Sequence, residues 1–513
     1  MPKTVFYYTT VGSKSEQMTE MYPFLFLAAT SSLILWQYFS GKTLAKVFAP
    51  IFYITIIGFA ISFINQPMTM EVKGSKLIFQ LLFMGFVSLL TKSLKEKPLV
   101  LLFSLALTVL FTILFVKWDS KRENPLIPLS EHGEIILELE EGYDASKVSD
   151  KIGIALSRSF HPFSGEITNL DNYYTVDAPP SPSEIIALRE KLEDTPGVKY
   201  VEYNEIVNVP KEEIISITRS DKKLGVNDPE VGLQWGLEKM DLASFHASLK
   251  KVKPVKKALI AILDTGVDAK HEDLKGNYKS LQKKYDKDTN RHGTHCAGVA
   301  AAVTNNKKGI ASLAPSNKFV EVTSVKVLAG FGGGTQRGII AGMIEAADAG
   351  ADVISMSLGG RTNDNAVKTY TDAVKYCNKK GAIVIVAAGN SNINAKLFAP
   401  ANTPGVITVA AVDENLKKAS FSNTTDDIEM AVSAPGVKIH STLPNNKYGA
   451  LSGTSMSTPY VAGLVGIMKS IKPDLTTKEA FEILNDSGQA TKDVQQIGRL
   501  IQPKKAIDSV KTK

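Results

Sequence analysis

The sequence predicts an α/β protein with a parallel sheet flanked by helices, preceded by a small α+β unit and by an α-helical transmembrane region. Three observations support this fold class. Residues 1–122 contain long apolar runs. Residues 131–208 read as short strands alternating with helices. In residues 226–512, apolar strands end in polar residues and glycine turns, as strands do at the ligand-binding edge of a parallel α/β sheet.

The amino-terminal region, residues 1–122, is predicted to form about four membrane-spanning helices near 23–39, 46–64, 77–91 and 99–117. The apolar run inside each range carries no charged side chain. Crossing a bilayer core takes about 20 helical residues. The alternative is a set of buried helices in a soluble domain, but four such runs in succession leave no amphipathic face. We therefore expect a retained multi-pass anchor whose partner is the lipid bilayer.

Composition narrows the remaining classes of function. The chain has 513 residues and a formal net charge of +7, but its lysines are scattered, so no nucleic-acid footprint is visible. Its two cysteines, Cys296 and Cys377, rule out a disulfide framework. The apolar runs hold no charged residue that could carry ions or protons, which argues against transport.

Residues 131–208 are predicted to form a βαββαβ unit, which is a ferredoxin-like arrangement. Strands are expected at Gly133–Glu140, Ser159–Phe163, Tyr173–Ala178 and Gly197–Val207. Helices are expected at Ala145–Leu156 and from Pro182 to Glu193, the second opened by Ser181, Pro182 and Glu184 as a capping box. A polar, lysine-rich linker, residues 209–225, follows.

Four motifs in residues 226–512 carry the chemistry. Asp264 ends an apolar strand before a glycine turn, and His292 opens the small-residue segment His-Gly-Thr-His-Cys. Ser455 lies in Gly-Thr-Ser-Met-Ser-Thr-Pro at the start of a predicted buried helix, and Asn390 ends the strand Ala382–Ala388. A serine nucleophile needs a base, and an imidazole base needs a carboxylate that holds its tautomer. An amide at a strand end can donate to an oxyanion. The alternative for Ser455 alone is a helix cap.

These four segments, in this chain order, resemble the subtilisin-like serine proteases, or subtilases, over roughly residues 224–512. The resemblance implies a subtilisin-like parallel sheet and a serine endopeptidase that acts on polypeptides through an acyl-enzyme. By position, Asp264 would orient the base, His292 would be the general base, Ser455 the nucleophile and Asn390 an oxyanion donor. Arg291 departs from the family, which usually has glycine before this histidine. Cys296 is expected to be a buried thiol without a catalytic role.

The resemblance extends to substrate and metal sites. Ser357, Leu358 and Gly359 resemble the family's substrate-lining strand, and Gly332, Gly333 and Gly334 resemble the exposed edge that pairs with an extended peptide. A flexible turn is the alternative for these glycines. The loop Val303–Ile310 resembles a calcium loop, so Asp273 and Asn306 are candidate ligands for a structural calcium, although the chemistry itself needs no cofactor.

The βαββαβ arrangement of residues 131–208, with its closing segment Val198–Asn204, resembles the subtilase propeptide. The alternative is an unrelated interaction module, but the position directly before the protease favours the propeptide. This resemblance implies that these residues act as an intramolecular inhibitor and that the chain cuts itself within the linker. By the same resemblance we expect the protease outside the cytoplasm. An alternative function is a membrane sensor or scaffold whose protease-like domain binds peptides without cutting them.

Overall fold

The structure is a computed structural model that describes residues 22–64, 70–93, 97–121, 135–163, 168–177, 182–209, 215–217, 224–362 and 368–512. The chain divides into two compact units, residues 1–126 and 127–513.

The first unit consists of helices in its described part, and they lie at the four apolar runs. One of them, over Ala45–Phe63, is long and apolar enough to cross a bilayer, and 17% of that window is buried. Shorter apolar helices cover Phe24–Tyr38, Leu77–Ser93 and Pro98–Leu114 where side chains are described. The helices are α1 (Tyr22–Tyr38), α2 (Ala45–Ile64), α3 (Met70–Ser93) and α4 (Pro98–Lys121).

Hydroxyl groups join these helices in the interior of the first unit. The hydroxyls of Ser32 and Thr55 lie 3.3 Å apart between α1 and α2. The Thr91 hydroxyl of α3 donates to the Ser104 hydroxyl of α4 at 3.1 Å. These two hydrogen bonds link neighbouring helices within the first unit.

Residues 135–203 form a four-stranded antiparallel sheet with two helices. The spatial order β2-β3-β1-β4 and the chain order βαββαβ agree with the predicted ferredoxin-like arrangement. The elements are β1 (Ile135–Leu139), α5 (Ala145–Ile152), β2 (Ser157–Arg158), β3 (Tyr173–Val176), α6 (Pro182–Glu193) and β4 (Val198–Tyr203).

Three predicted bounds in this unit were wrong. Helix α5 ends at Ile152 because Gly153 adopts a left-handed φ of 77° and caps it, so the chain turns before Leu156. The second strand is Ser157–Arg158 rather than Ser159–Phe163, since Ser157 pairs with Thr175. The predicted last strand is divided between β4 and a separate strand, β5 (Ile206–Asn208). Ser181 of the predicted capping box lies outside the described residues.

A seven-stranded parallel sheet forms the core of residues 224–512, in the order β17-β14-β13-β11-β9-β6-β7. The helices are α7 (Trp235–Lys239), α8 (Leu242–Leu249), α9 (His292–Ala301), α10 (Gln336–Asp348), α11 (Lys368–Lys379), α12 (Thr454–Ile471), α13 (Thr477–Ser487), α14 (Val494–Ile497) and α15 (Pro503–Thr512). The strands are β6 (Ala258–Asp264), β7 (Val320–Lys326), β8 (Gly333–Thr335), β9 (Val353–Met356), β10 (Gly360–Arg361), β11 (Ile383–Ala387), β12 (Phe398–Ala399), β13 (Ile407–Val412), β14 (Ala431–Pro435), β15 (Ile439–Leu443), β16 (Lys447–Leu451) and β17 (Arg499–Leu500). This is the predicted parallel α/β sheet flanked by helices.

Two small-residue helices cross closely beneath this sheet. Residues 454–470 of α12 are all buried, and so is every residue of α9. A β-carbon on Gly463 of α12 would lie 2.7 Å from the carbonyl oxygen of Ala300 in α9. Only glycine permits this approach, which fixes the start of one helix relative to the start of the other.

Candidate active site

The three predicted reactive residues lie at the carboxyl edge of the parallel sheet. Asp264 is the last residue of β6, whose seven residues are all buried. His292 is the first residue of α9, and Ser455 is the second residue of α12. The strand carries the carboxylate outward while the two packed helices present the imidazole and the hydroxyl at their amino-terminal ends. The fold therefore brings together residues that are far apart in sequence.

Asp264 and His292 form a buried pair. His292 Nδ1 lies 2.9 Å from both carboxylate oxygens of Asp264, and the two residues are 2% and 0% exposed. Burial alone would lower the pKa of His292, but the adjacent Asp264 carboxylate raises this pKa well above its ordinary value. With Nδ1 directed at the carboxylate, Nε2 is the ring nitrogen that faces away from it.

The residue before the histidine has a strained backbone. Arg291 has a φ of 102°, in the region that favours glycine. This turn lets His292 begin α9 while Asp288 accepts hydrogen bonds from the backbone N–H groups of Asn290 and Arg291 at 2.8 and 2.9 Å. Arg291, at a position where the family usually has glycine, therefore has a strained backbone.

Ser455 lies beside the same pair. Its hydroxyl donates to the carbonyl oxygen of Ser357 at 3.3 Å, and the Ser357 hydroxyl donates back to the carbonyl oxygen of Ser455 at 2.8 Å. The buried Cys296 connects the residues, because its Sγ lies 3.5 Å from the Ser455 carbonyl oxygen and 4.0 Å from His292 Nδ1. Burial raises the pKa of Cys296, so its sulfur stays a neutral thiol.

Asn390 is held in one orientation by Thr454. The amide oxygen of Asn390 accepts hydrogen bonds from the Thr454 backbone N–H at 2.8 Å and from the Thr454 hydroxyl at 2.9 Å. The Thr454 hydroxyl in turn accepts from the backbone N–H of Gly389 at 3.1 Å. With its oxygen fixed, the amide NH₂ group of Asn390 is directed away from Thr454 as a donor. Sequence reasoning missed this role of Thr454, although the residue belongs to the motif around Ser455.

The predicted glycine edge is occupied by the chain itself. β5 pairs antiparallel with β8, so that Val207 lies opposite Gly334 and Asn208 opposite Gly333. The backbone N–H of Val209 continues the ladder by donating to the Gly332 carbonyl oxygen at 2.9 Å. The segment Ser357–Gly359 follows β9, and its Ser357 contacts Ser455 as described above. A β-carbon on Gly360, the residue after this segment, would lie 3.3 Å from the Ile206 carbonyl oxygen, so β5 runs between β8 and the start of β10.

Buried polar contacts fasten the small α+β unit to α10. Asn204 accepts a hydrogen bond from the backbone N–H of Arg337 at 2.8 Å, and the Glu205 carbonyl oxygen accepts from the backbone N–H of Gln336 at 2.8 Å. The Glu202 carboxylate accepts from the Gln336 side chain at 2.9 Å. Asn204 and Glu205 thereby satisfy two backbone N–H groups at the amino terminus of α10, which the helix cannot satisfy internally. Burial raises the pKa of Glu202 to about 8.

A second acidic residue, Asp228, lies beside the candidate calcium loop, and sequence reasoning missed it. Asn306 donates through its amide nitrogen to Asp273 at 2.6 Å, and its backbone N–H donates to Asp228 at 3.1 Å. Burial raises the pKa of Asp273 to about 7, and the nearby Asp228 adds to this effect. Two buried carboxylates and an amide, whose oxygen and nitrogen can exchange places by a flip, are hard ligands that suit calcium. The segment Asn227-Asp228-Pro229 was the available sequence signal.

Comparisons with known proteins agree with this geometry. The profile described as "Subtilase family" matches residues 255–498. The chain is 44% identical over 218 residues to thermitase of Thermoactinomyces vulgaris, covering 42% of this chain and 75% of thermitase. It is 39% identical over 234 residues to subtilisin DY of Bacillus licheniformis, covering 44% of this chain and 82% of that protein. A solved protease structure from Pseudoalteromonas arctica PAMC 21717 superposes with a TM-score of 0.50 at 28% identity, over 56% of this chain and 99% of the other.

Proposed function

Since the chain belongs to the subtilase family and is a subtilisin-like serine endopeptidase, we propose that Asp264, His292 and Ser455 are the three residues that carry its chemistry. The observation that supports this assignment best is the buried pair of Asp264 and His292 at 2.9 Å, with the start of α12 beside it. The relatives that the chain resembles are proteases, which argues against a scaffold that only binds peptides.

In the proposed reaction His292 is the general base. The Ser455 hydroxyl leaves its hydrogen bond to Ser357 by rotation about the Cα–Cβ bond and gives its proton to His292 Nε2 as Oγ attacks the peptide carbonyl carbon. Asp264 stabilises the imidazolium that forms and keeps the ring in the reactive tautomer. The imidazolium then protonates the leaving amine, which yields an acyl-enzyme on Ser455. Water, deprotonated by His292, releases the acyl group and restores the hydroxyl.

The oxyanion would be stabilised by two donors at the start of α12. The backbone N–H of Ser455 belongs to the first turn of the helix, where no intrahelical acceptor exists. The amide NH₂ group of Asn390 is oriented by its two hydrogen bonds to Thr454. Preorganised donors of this kind each contribute about 10²–10³ in turnover. The substrate backbone would add itself as a strand between Gly332–Gly334 and Ser357–Gly359.

Labelling with a fluorophosphonate tests the proposed nucleophile. We expect the reagent to attach to Ser455 in the processed protein and to leave a Ser455→Ala variant unlabelled. A His292→Ala variant, in which the base is absent, should be labelled far more slowly. Equal labelling of the Ser455→Ala variant would reject Ser455 as the nucleophile.

The small α+β unit, residues 131–208, is proposed to be an intramolecular inhibitor. Its strand β5 occupies the glycine edge that a substrate would use, and its buried acceptors fasten it to α10. We propose that the protease then cuts the chain within the linker 209–225, of which residues 210–214 and 218–223 lie outside the described residues. The sizes of the wild-type chain and a Ser455→Ala chain test this, because identical sizes would contradict self-cleavage.

Residues 1–122 are proposed to anchor the protease in a membrane through several helices, with the catalytic domain outside the cytoplasm. Large apolar side chains on three helices face outward: Ile54, Leu82 and Leu102 are between 65% and 71% exposed. Such a surface suits lipid better than water. The Ser455→Ala chain should stay with membranes in alkaline carbonate and enter solution only with detergent. Release by carbonate alone would contradict an integral anchor.

A structural calcium ion is proposed at the loop that includes Asn306, held by that residue with Asp273 and Asp228. Its contribution would be to stabilise the fold, since no step of the proposed reaction passes through it. Binding should compete with protonation of Asp273, whose pKa is raised to about 7 by burial. The ion is therefore expected to bind more tightly as the pH rises through that value.

A further inference from the structure

A basic turn at the amino-terminal edge of the parallel sheet takes no part in the proposed reaction. Five of the chain's lysines fall within the eight residues 250–257, Lys-Lys-Val-Lys-Pro-Val-Lys-Lys, which contain no acidic residue. This segment joins the end of α8 to the start of β6. Although lysines are scattered over the chain as a whole, the turn is a local concentration of positive charge.

Two further lysines adjoin the turn from neighbouring elements. Lys511 of α15 donates through Nζ to the Ser248 carbonyl oxygen, near the end of α8, at 3.0 Å. Lys318 directly precedes Phe319, whose carbonyl oxygen accepts from the backbone N–H of Ala258 at 2.9 Å. We call the surface formed by these seven lysines the basic face: Lys250, Lys251, Lys253, Lys256, Lys257, Lys318 and Lys511.

Four of the seven lysines keep a positive charge that no acidic side chain neutralises. Three members of the basic face have acidic partners: Lys256 with Asp352 at 2.5 Å, Lys257 with Glu321 at 3.6 Å and Lys511 with Asp508 at 3.7 Å. Within the described parts of the chain, no ion pair involves the other four: Lys250, Lys251, Lys253 and Lys318. All four are exposed, so their charges are available to an anionic surface.

An exposed aliphatic side chain lies among these charges. Val255 is 72% exposed, and lysines lie on both sides of it in the sequence. The backbone N–H groups of Val255 and Lys256 both donate to the Ser470 carbonyl oxygen, at 2.8 and 3.3 Å. The turn is therefore held on the end of α12, and binding would require little further ordering of its backbone. An apolar side chain surrounded by cations suits the interface between lipid headgroups and acyl chains.

The basic face lies at the opposite end of β6 from the proposed catalytic residues. β6 begins at Ala258 and ends at Asp264, and its seven residues span about 20 Å at about 3.3 Å per residue. A surface bound through the basic face would therefore leave the end of β6 that carries Asp264 directed away from it.

We propose that the basic face binds the surface of an anionic lipid bilayer, with Val255 entering the interface. Each lysine near such a surface contributes about fivefold in affinity, so the four unpaired lysines contribute about 10²–10³-fold together. A single-stranded nucleic acid would need aromatic side chains on which its bases could stack, and the segment 250–257 has none. The inference rests on the proposed membrane anchor, which would keep a bilayer at high local concentration near the domain.

Acetylation of lysines in nanodiscs provides the first test. The full chain with Ser455→Ala, which would keep its anchor attached, is incorporated into discs of phosphatidylcholine, either alone or with about one third phosphatidylglycerol. After brief treatment with an acetylating reagent, mass spectrometry gives the labelling rate of each lysine. Labelling of Lys250, Lys251 and Lys253 should be at least about threefold slower in the anionic discs, and about 0.5 M salt should remove this difference.

Exposed lysines outside the basic face provide the internal control. Lys270, Lys438 and Lys447 should be labelled at the same rate in both kinds of disc. Equal rates in both discs for the lysines of the basic face would overturn the proposal. Protection of these lysines by a soluble DNA oligonucleotide, without protection by anionic discs, would identify nucleic acid as the partner instead. A chain that enters neither kind of disc would overturn the proposed anchor, and this inference with it.

A matched pair of variants separates the basic face from the net charge of the protein. The first variant replaces three lysines of the basic face: Lys250→Gln, Lys251→Gln and Lys253→Gln. The second replaces three exposed lysines elsewhere: Lys270→Gln, Lys438→Gln and Lys447→Gln. Anionic discs should slow the acetylation of Lys318 and Lys511 in the second variant and leave it unchanged in the first. Equal slowing in both variants would overturn the assignment of the lipid contact to this face.

Discussion

Replacing Thr454 with valine would remove the hydroxyl that orients Asn390 while conserving side-chain shape. This hydroxyl donates to the amide oxygen of Asn390 at 2.9 Å and accepts from the backbone N–H of Gly389 at 3.1 Å. The Thr454 backbone N–H, at 2.8 Å from the same amide oxygen, is unaffected. The variant therefore loosens the proposed oxyanion donor without deleting it.

The expected loss in stability follows from the orphaned Gly389 N–H. Thr454 is 0% exposed, so water cannot easily replace its hydroxyl. An unsatisfied buried donor costs about 1–3 kcal/mol, and we expect the free energy of unfolding to fall by about 2 kcal/mol. For turnover, the upper limit is the loss of the whole donor, about 10²–10³. Since Asn390 keeps one of its two restraints, we expect kcat to fall about tenfold, well below the limit for losing a donor.

Steady-state kinetics on a peptide p-nitroanilide, together with thermal unfolding, would measure both effects. KM should be unchanged, because the oxyanion forms only in the transition state. Thr454→Ser keeps the hydroxyl and should retain a kcat near that of the wild type. If serine and valine variants lost kcat equally, or if the loss appeared in KM, the orienting role of Thr454 would be refuted.

Three further predictions concern other parts of the same domain. Asp264→Asn removes the charge that raises the pKa of His292, so the acid limb of the pH profile of kcat/KM should move to lower pH while kcat falls by about 10⁴; an unmoved limb would contradict the pairing. Arg291→Gly should raise the free energy of unfolding by about 1 kcal/mol in chemical denaturation, whereas Arg291→Ala, which keeps a β-carbon, should bring no such gain. The pKa of Asp273 is about 7 in the folded state and 3.8 in the unfolded state, so between these values only the folded state binds the proton. The free energy of unfolding, measured with a chelator present to remove calcium, should therefore fall as the pH rises from 3.8 to about 7. Calcium should reverse this fall in thermal melts, and neither effect should remain in Asp273→Asn.

The chemistry of the site was predictable because each reactive residue follows a strong local signal. Asp264 interrupts an apolar strand, and His292 and Ser455 each precede a run of small or apolar residues that packs as a helix. In parallel α/β sheets such positions meet at one edge. The membership of the chain in the subtilase family and its parallel sheet were confirmed, while the roles of the individual residues stay predictions.

Contacts made by backbone atoms between distant segments were not predictable. The Asp228 carboxylate accepts hydrogen bonds from the backbone N–H groups of Asn305 and Asn306, and the sequence around Asp228 does not indicate which distant segment supplies these donors. The predicted strand Gly197–Val207 was divided for a related reason. Asn204 and Glu205 leave the strand and accept hydrogen bonds from backbone N–H groups at the start of α10. These hydrogen bonds depend on a helix that lies more than a hundred residues further along the chain. A period-two pattern alone cannot locate such an interruption.

The hydrogen bonds that Glu202, Asn204 and Glu205 make with α10 have a kinetic consequence. Cutting a peptide bond in the linker would break none of these hydrogen bonds. The small α+β unit would therefore stay bound to the catalytic domain after cleavage. Hydrolysis and dissociation would then be separate events with separate rates. In a time course, the shortened band on a gel should appear before activity on an added peptide does, and the length of that lag would measure how firmly the two pieces hold each other.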